Sequence, residues 1–149
     1  MGSFAFDAAS PKRLPQRWEL ECSDQQFLEL MRDLRSRGGM LPIEEVRAVS
    51  YVCNPGSSVS KLLMENMVFS VLWRRQHWIP CFQFSPLTWL PVPAVSSLVQ
   101  KLKPSMGGVE LAMWFKTTDP FLNGKSPLEQ FNSDIDRVQQ FAAHSLLPR

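Results

Sequence analysis

Val68-Phe69-Ser70-Val71-Leu72-Trp73-Arg74-Arg75-Gln76-His77-Trp78-Ile79-Pro80-Cys81-Phe82-Gln83-Phe84 is the stretch of this chain that reads as extended. Val68 to Trp73 is rich in β-branched and aromatic residues, and Arg74-Arg75-Gln76-His77 is a polar tip. A second apolar run follows through Ile79-Pro80-Cys81-Phe82-Gln83-Phe84. Two such runs about a short polar tip form a β-hairpin. Pro80 has no N–H to give to a ladder, which predicts an edge strand or a bulge at that point.

Outward from the hairpin, the periodic segments are helical. On the N-terminal side, Val59, Leu62, Leu63 and Met67 share one face of a helix over 58–67, capped by Ser57 or Ser58. Asn54-Pro55-Gly56 turns the chain into it. Ile43, Val46, Val49 and Val52 line a helix over 42–52, with Pro42 at its first position. Ser23-Asp24-Gln25-Gln26 has the form of a capping box ahead of Phe27, Leu30, Met31 and Leu34, and Gly38-Gly39 stops that helix. On the C-terminal side, Val95, Leu98, Val99 and Leu102 give a helix ending at Lys103-Pro104, and another follows Gly107-Gly108. After a loop over Thr118 to Lys125, Ser126-Pro127 starts a short helix, and a last one runs from Ile135 to about Leu146. The expected fold class is mainly α: a bundle-like helical domain with a helix-turn-helix-like part and one small β-hairpin.

The 149 residues are 44% hydrophobic and 20% charged, which suits one shared core and excludes a disordered chain. No run approaches the ~18 apolar residues that a membrane span requires, so no membrane partner is expected. The chain divides into an arm over 1–22, with Trp18 and Leu20 as docking residues, a helix-turn-helix-like part with the hairpin over 23–90, and a C-terminal helical part over 91–149. Sixteen basic against fourteen acidic side chains leave +2, spread evenly: ten and nine in residues 1–75, six and five in 76–149. That balance ranks a protein partner above nucleic acid. No basic segment followed by an apolar run marks a secretion signal, and a cytoplasmic location is expected.

Chemistry-bearing motifs are scarce. Cys22, Cys53 and Cys81 form no CxxC pair, and with only His77 and His144 beside them they supply no metal spacing. Each cysteine reads as a small buried hydrophobe. No nucleophile elbow, HExxH or phosphate-cradling glycine loop is present, so neither an enzyme nor a cofactor is expected. Asp134 and Asp136 flank a helix start and read as caps. Helix 42–52, helix 58–67 and the hairpin can form a helix-turn-helix with a wing, for which Lys61, Arg74, Arg75 and His77 would meet DNA; Glu65 on the second helix works against it. Trp114 to Leu128 concentrates Trp, Phe and Leu about a Pro/Gly loop, which is either a protein-binding surface or a seal on the core.

Trp114-Phe115-Lys116-Thr117-Thr118-Asp119-Pro120-Phe121-Leu122-Asn123-Gly124-Lys125-Ser126-Pro127-Leu128-Glu129, followed by Asp136-Arg137-Val138 and Ala142-Ala143, resembles the C-terminal toxin-binding domain of the Xre/MbcA/ParS antitoxin family. That family shows a Trp, then Asn-Pro, a Leu-x-Gly-x-Ser/Thr-Pro core and a closing helix with Val and Ala-Ala; Asp119 stands here where the family has Asn. Pro80-Cys81-Phe82-Gln83-Phe84 is similar to the family's strand after its helix-turn-helix. The resemblance covers roughly 42–146. It implies a helical, homodimeric bacterial antitoxin that binds a cognate toxin, such as a RES-type NAD-consuming enzyme, and blocks its active site. Trp114, Phe121, Leu122, Gly124, Pro127 and Leu128 are then the determinants of the toxin-binding surface or of the loop that shapes it. Operator DNA, bound as a transcriptional autorepressor, is the alternative partner. A scaffold or virulence factor reusing the same fold is a third reading.

Overall fold

The structure, a computed structural model, describes residues 21–147; the arm residues through 20, with Trp18 and Leu20, lie outside them. Seven α-helices and a three-stranded antiparallel sheet make up the described residues. Helix α1 (Asp24–Asp33) starts where its caps dictate. The Ser23 hydroxyl accepts from the Gln26 N–H at 3.1 Å, and the Gln26 side chain accepts from the Ser23 N–H at 2.9 Å. Its Phe27 and Leu30, with Leu34 just beyond its end, face the core, as their spacing predicts.

The next element departs from expectation. Met40–Pro42 is a strand, β1, and Pro42 is the N-cap of α2 (Ile43–Cys53) rather than its first residue. Three residues are too few to show a period of two, so nothing in the pattern announced β1. Helix α3 (Val59–Met64) also ends earlier than the apolar spacing suggests. Asn66 takes a left-handed φ of 56°, which asparagine tolerates and which stops the helix before Met67.

The hairpin is β2 (Val71–Trp73) and β3 (Gln76–Pro80), joined by Arg74-Arg75. Strand order is β1-β3-β2, which places the Pro80 strand at the centre and not at an edge. Pro80 is tolerated because it is the last residue of β3, paired with Met40 on one side. On the other side, the register Val71↔Trp78 extrapolates to Phe69 opposite Pro80. There the missing N–H is replaced by a side chain. Gln83 Oε1 accepts from the Phe69 N–H at 2.8 Å, and Gln83 Nε2 donates to the Phe69 carbonyl at 2.9 Å and the Pro80 carbonyl at 3.0 Å. The fully buried carboxamide thus lies between the two backbones like an inserted peptide group. To reach it the chain leaves the strand in a 3₁₀ turn at Cys81–Gln83, where the sequence suggested extension.

Helices α4 (Pro93–Leu102), α5 (Gly108–Lys116), α6 (Pro127–Gln130) and α7 (Ile135–Ser145) complete the fold. The larger core joins α1 and β2 to α4, α5 and α7, with Phe69, Phe115, Leu98 and Val138 at its centre, so both halves of the chain share it. A smaller cluster of Val46, Val59, Val68, Ile79 and Phe84 holds α2 and α3 against the sheet. Helix α5 starts on the hairpin itself: a Cβ on Gly108 would lie 2.0 Å from the Ser70 carbonyl oxygen.

One ion cluster ties α1 to α5. The Lys116 ammonium, on a side chain 14% exposed, meets Glu29 at 2.6 Å and Asp33 at 3.0 Å. Hydrogen bonds from Arg32 and then Lys116 hold the Asp33 carboxyl down at about 2. A carboxyl depressed in the folded state adds stability above its unfolded pKa, and that stability is lost as pH falls through the folded value. Thermal melts are therefore expected to drop between pH 4 and pH 2, and Lys116→Met to flatten part of that slope. An unchanged slope in the variant would remove Lys116 from the account.

Candidate functional site

The loop after α5 is built from local hydrogen bonds. Thr117 ends the helix in an extended conformation while its hydroxyl donates back to the Met113 carbonyl at 2.6 Å. The Asp119 carboxylate accepts from the Phe121 N–H at 2.8 Å, an acceptor role that asparagine fills equally well. Pro120–Leu122 then forms one 3₁₀ turn. Asn123 (φ 61°) and Gly124 (φ 78°) are both left-handed, which returns the chain so that the Gly124 N–H reaches the Asp119 carbonyl at 3.0 Å. A second capping box starts α6: Ser126 Oγ accepts from the Glu129 N–H, and Glu129 accepts from the Ser126 N–H at 2.9 Å. That backbone hydrogen bond holds the Glu129 carboxyl below its ordinary value.

Beside this loop, α5 and the end of α7 enclose an open groove of about 670 Å³. Met106, Met113, Trp114, Phe141 and Leu147 supply its apolar wall, with Asp119 and His144 on the wall as well. The aromatic groups are mutually fixed. Trp114 stacks on Phe141 at 5.4 Å and its indole N–H donates to Ser145 Oγ at 2.9 Å. Phe121 is held between His144 at 5.5 Å and the Arg137 guanidinium at 4.8 Å. Arg137 Nε also donates to the Phe121 carbonyl at 2.9 Å, pinning the loop to α7.

The six residues singled out in this segment fall into three environments. Leu122 is fully buried, and Pro127 and Leu128 are buried with it, so these three shape the loop from inside. A charge at Leu122 would report on folding and not on binding. Gly124 is exposed at the turn, and Phe121 is half-buried in its sandwich. Trp114 is the member of the set that lines the groove. Sequence reasoning missed Phe141 and His144 on the wall and Arg137 as the loop's clamp. Phe141 carried only a core-periodicity signal, and His144 carried none. Leu128 also borders a second groove of about 630 Å³, with Phe82, Phe84, Trp89 and Phe131.

The residues that the sequence reading set against DNA lie on different elements. Lys61 is exposed on α3, Arg74 and Arg75 form the hairpin tip, and His77 on β3 shares a hydrogen bond with Ser70 Oγ at 2.8 Å. Chemistry elsewhere is sparse. No cluster of three His, Cys, Asp or Glu side chains could hold a metal among the described residues. Cys22 and Cys81 are buried, and burial pushes each thiol up to about 11. Cys53, expected to be buried as well, is exposed at the last position of α2 although it shares the helix face of Val46 and Ser50, because the helix ends there. Among the described residues no helix is long and apolar enough to cross a membrane. No protein-family model, no curated protein and no solved structure matches the chain.

Proposed function

We propose that this chain is an antitoxin-like protein that captures and neutralises a cognate toxin by stoichiometric binding, through the groove between α5 and α7. The observation that carries the proposal is the aromatic wall of that groove. Trp114 lies on it, within the segment whose residues resemble a toxin-binding domain, and its ring is already locked by Phe141 and Ser145. A pre-positioned tryptophan in an open apolar groove is the kind of anchor that dominates interface energy. Blocking the active site of an NAD-consuming enzyme requires only such a rigid docking surface and no catalytic group, and a homodimer would present two.

The test is co-purification with the product of the neighbouring gene, together with rescue of the growth arrest that product causes. Trp114→Ala is expected to weaken capture by about 2 kcal/mol or more, roughly 30-fold. Leu147→Asp serves as the second variant, since Leu147 is 60% exposed on the groove wall and its substitution leaves the core untouched. Full capture and rescue by both variants would exclude the groove.

A second reading, DNA contact by α2, α3 and the hairpin acting as a winged helix-turn-helix, is favoured by one observation. Both central residues of the hairpin turn are arginines in the left-handed region, Arg74 at 48° and Arg75 at 62°. Asn-Gly would relax that turn, so two arginines there place charge at the tip at a backbone cost.

A further inference from the structure

The hairpin tip carries its own counter-ions, and they come from a different element. Trp73 stacks on Phe27 at 3.8 Å, and the Arg74 guanidinium lies 4.6 Å over the Trp73 ring, making a three-layer column that ends in a cation. The Asp24 carboxylate, in the first turn of α1, closes this column from the side. It accepts from the Trp73 indole N–H at 2.9 Å and from Arg74 Nη2 at 3.2 Å. Just ahead of α1, Glu21 accepts from the Arg75 backbone N–H at 2.7 Å. No described side chain pairs with the Arg75 guanidinium.

We infer, on the DNA-contact reading above, that the tip is a contact surface for the phosphate backbone of duplex DNA in which Arg75 makes the contact while Asp24 and Glu21 attenuate it. Asp24 pairs with the Arg74 guanidinium and Glu21 sits on the Arg75 backbone N–H, so two carboxylates lie beside the two arginines and the tip presents almost no net charge to steer a polyanion. The restraint is soft. The Arg74–Asp24 pair is about two-thirds exposed on both sides, and such pairs contribute little, so phosphate can compete for Arg74 once Arg75 has docked. A two-stranded ribbon fits the major groove, about 12 Å wide, with its tip reaching phosphate. The Trp73 indole and Arg74 hold the Asp24 carboxyl below its ordinary range, which keeps the counter-ion charged at any pH used for binding.

The full chain is titrated with a fluorescein-labelled duplex between about 50 and 200 mM salt. Asp24→Asn with Glu21→Gln removes both charges, yet the new amide oxygens still accept from the Trp73 indole and the Arg75 N–H. The double variant is expected to bind at least about tenfold tighter at 50 mM salt, with a log K against log salt slope steeper by up to about 1.8. Adding Arg75→Gln is expected to abolish the gain. Unchanged or weaker binding by the double variant overturns the attenuation while leaving the DNA reading in place. A gain that survives Arg75→Gln overturns the assignment of the contact. No binding of duplex by either protein at 50 mM salt overturns both. An equal gain toward polyglutamate assigns the tip to an acidic protein and overturns the inference.

Discussion

Gln83→Leu is expected to destabilise the fold by about 3–5 kcal/mol, a large share of the 5–15 kcal/mol that holds a domain together. The leucine fills nearly the same space, so cavity formation is a small part of the cost. The main part is polar. Removal of the carboxamide leaves the Phe69 N–H, the Phe69 carbonyl and the Pro80 carbonyl without partners in a site closed to solvent, and each orphaned group costs about 1–3 kcal/mol. Gln83→Glu separates hydrogen bonding from shape. The carboxylate can accept from Phe69 but cannot donate, and it adds a buried charge, so its pKa rises in the folded state. Because the folded pKa is raised, that variant gains stability as pH falls toward 6, opposite in sign to the acid loss expected around Asp33. Urea midpoints at several pH values measure both effects. A loss under about 1 kcal/mol for the leucine variant would mean that the two backbones close on each other without help.

Gly108→Ala is the second large effect, expected at about 3 kcal/mol or more. Inside a helix the change normally stabilises by about 0.5–1 kcal/mol, because alanine restricts the unfolded chain. Here the added methyl would lie 2.0 Å from the Ser70 carbonyl oxygen and 3.1 Å from its carbon. Both are backbone atoms of the chain leading into β2, so no rotamer change relieves the overlap, and helix and hairpin must separate by about 1 Å. The clash outweighs the propensity. Gly56→Ala is the control, since a Cβ there meets nothing within 4 Å. It is expected to fall within about 0.5 kcal/mol of the parent. Equal thermal midpoints for the two alanine variants would show that α5 does not rest on the strand.

What the sequence revealed follows from the range of each interaction. Ser23 with Gln26 and Ser126 with Glu129 are closed within one helical turn, so their helix starts could be read directly. β1 could not, because its three residues gain their structure only from β3, some forty positions away. The Pro80 rule was sound about the missing N–H. It failed on position because a side chain three residues later supplied the donor, and no pattern of apolar residues encodes that. The candidate site divides in the same way. Its loop is legible from Asp119 to Pro127, since turns and caps are local. Whether Leu122 and Leu128 face in or out depends on where α7 packs, and leucine reads alike in both places. The groove wall draws on His144 and Leu147 near the chain's end, which acquire meaning only beside α5.

The burial of two cysteines has a chemical consequence. Cys22 belongs to the larger core, Cys81 sits at the exit from β3 over the second groove, and only Cys53 among the three is open to solvent. An alkylating reagent therefore meets one thiol on the native molecule and three on the unfolded one. With Cys53 blocked in advance, the remaining two become separate clocks. Labelling at Cys22 times the opening of the α1–hairpin side, and labelling at Cys81 times the opening of the sheet's exit. The chain thus carries a built-in means of showing which of these regions opens first.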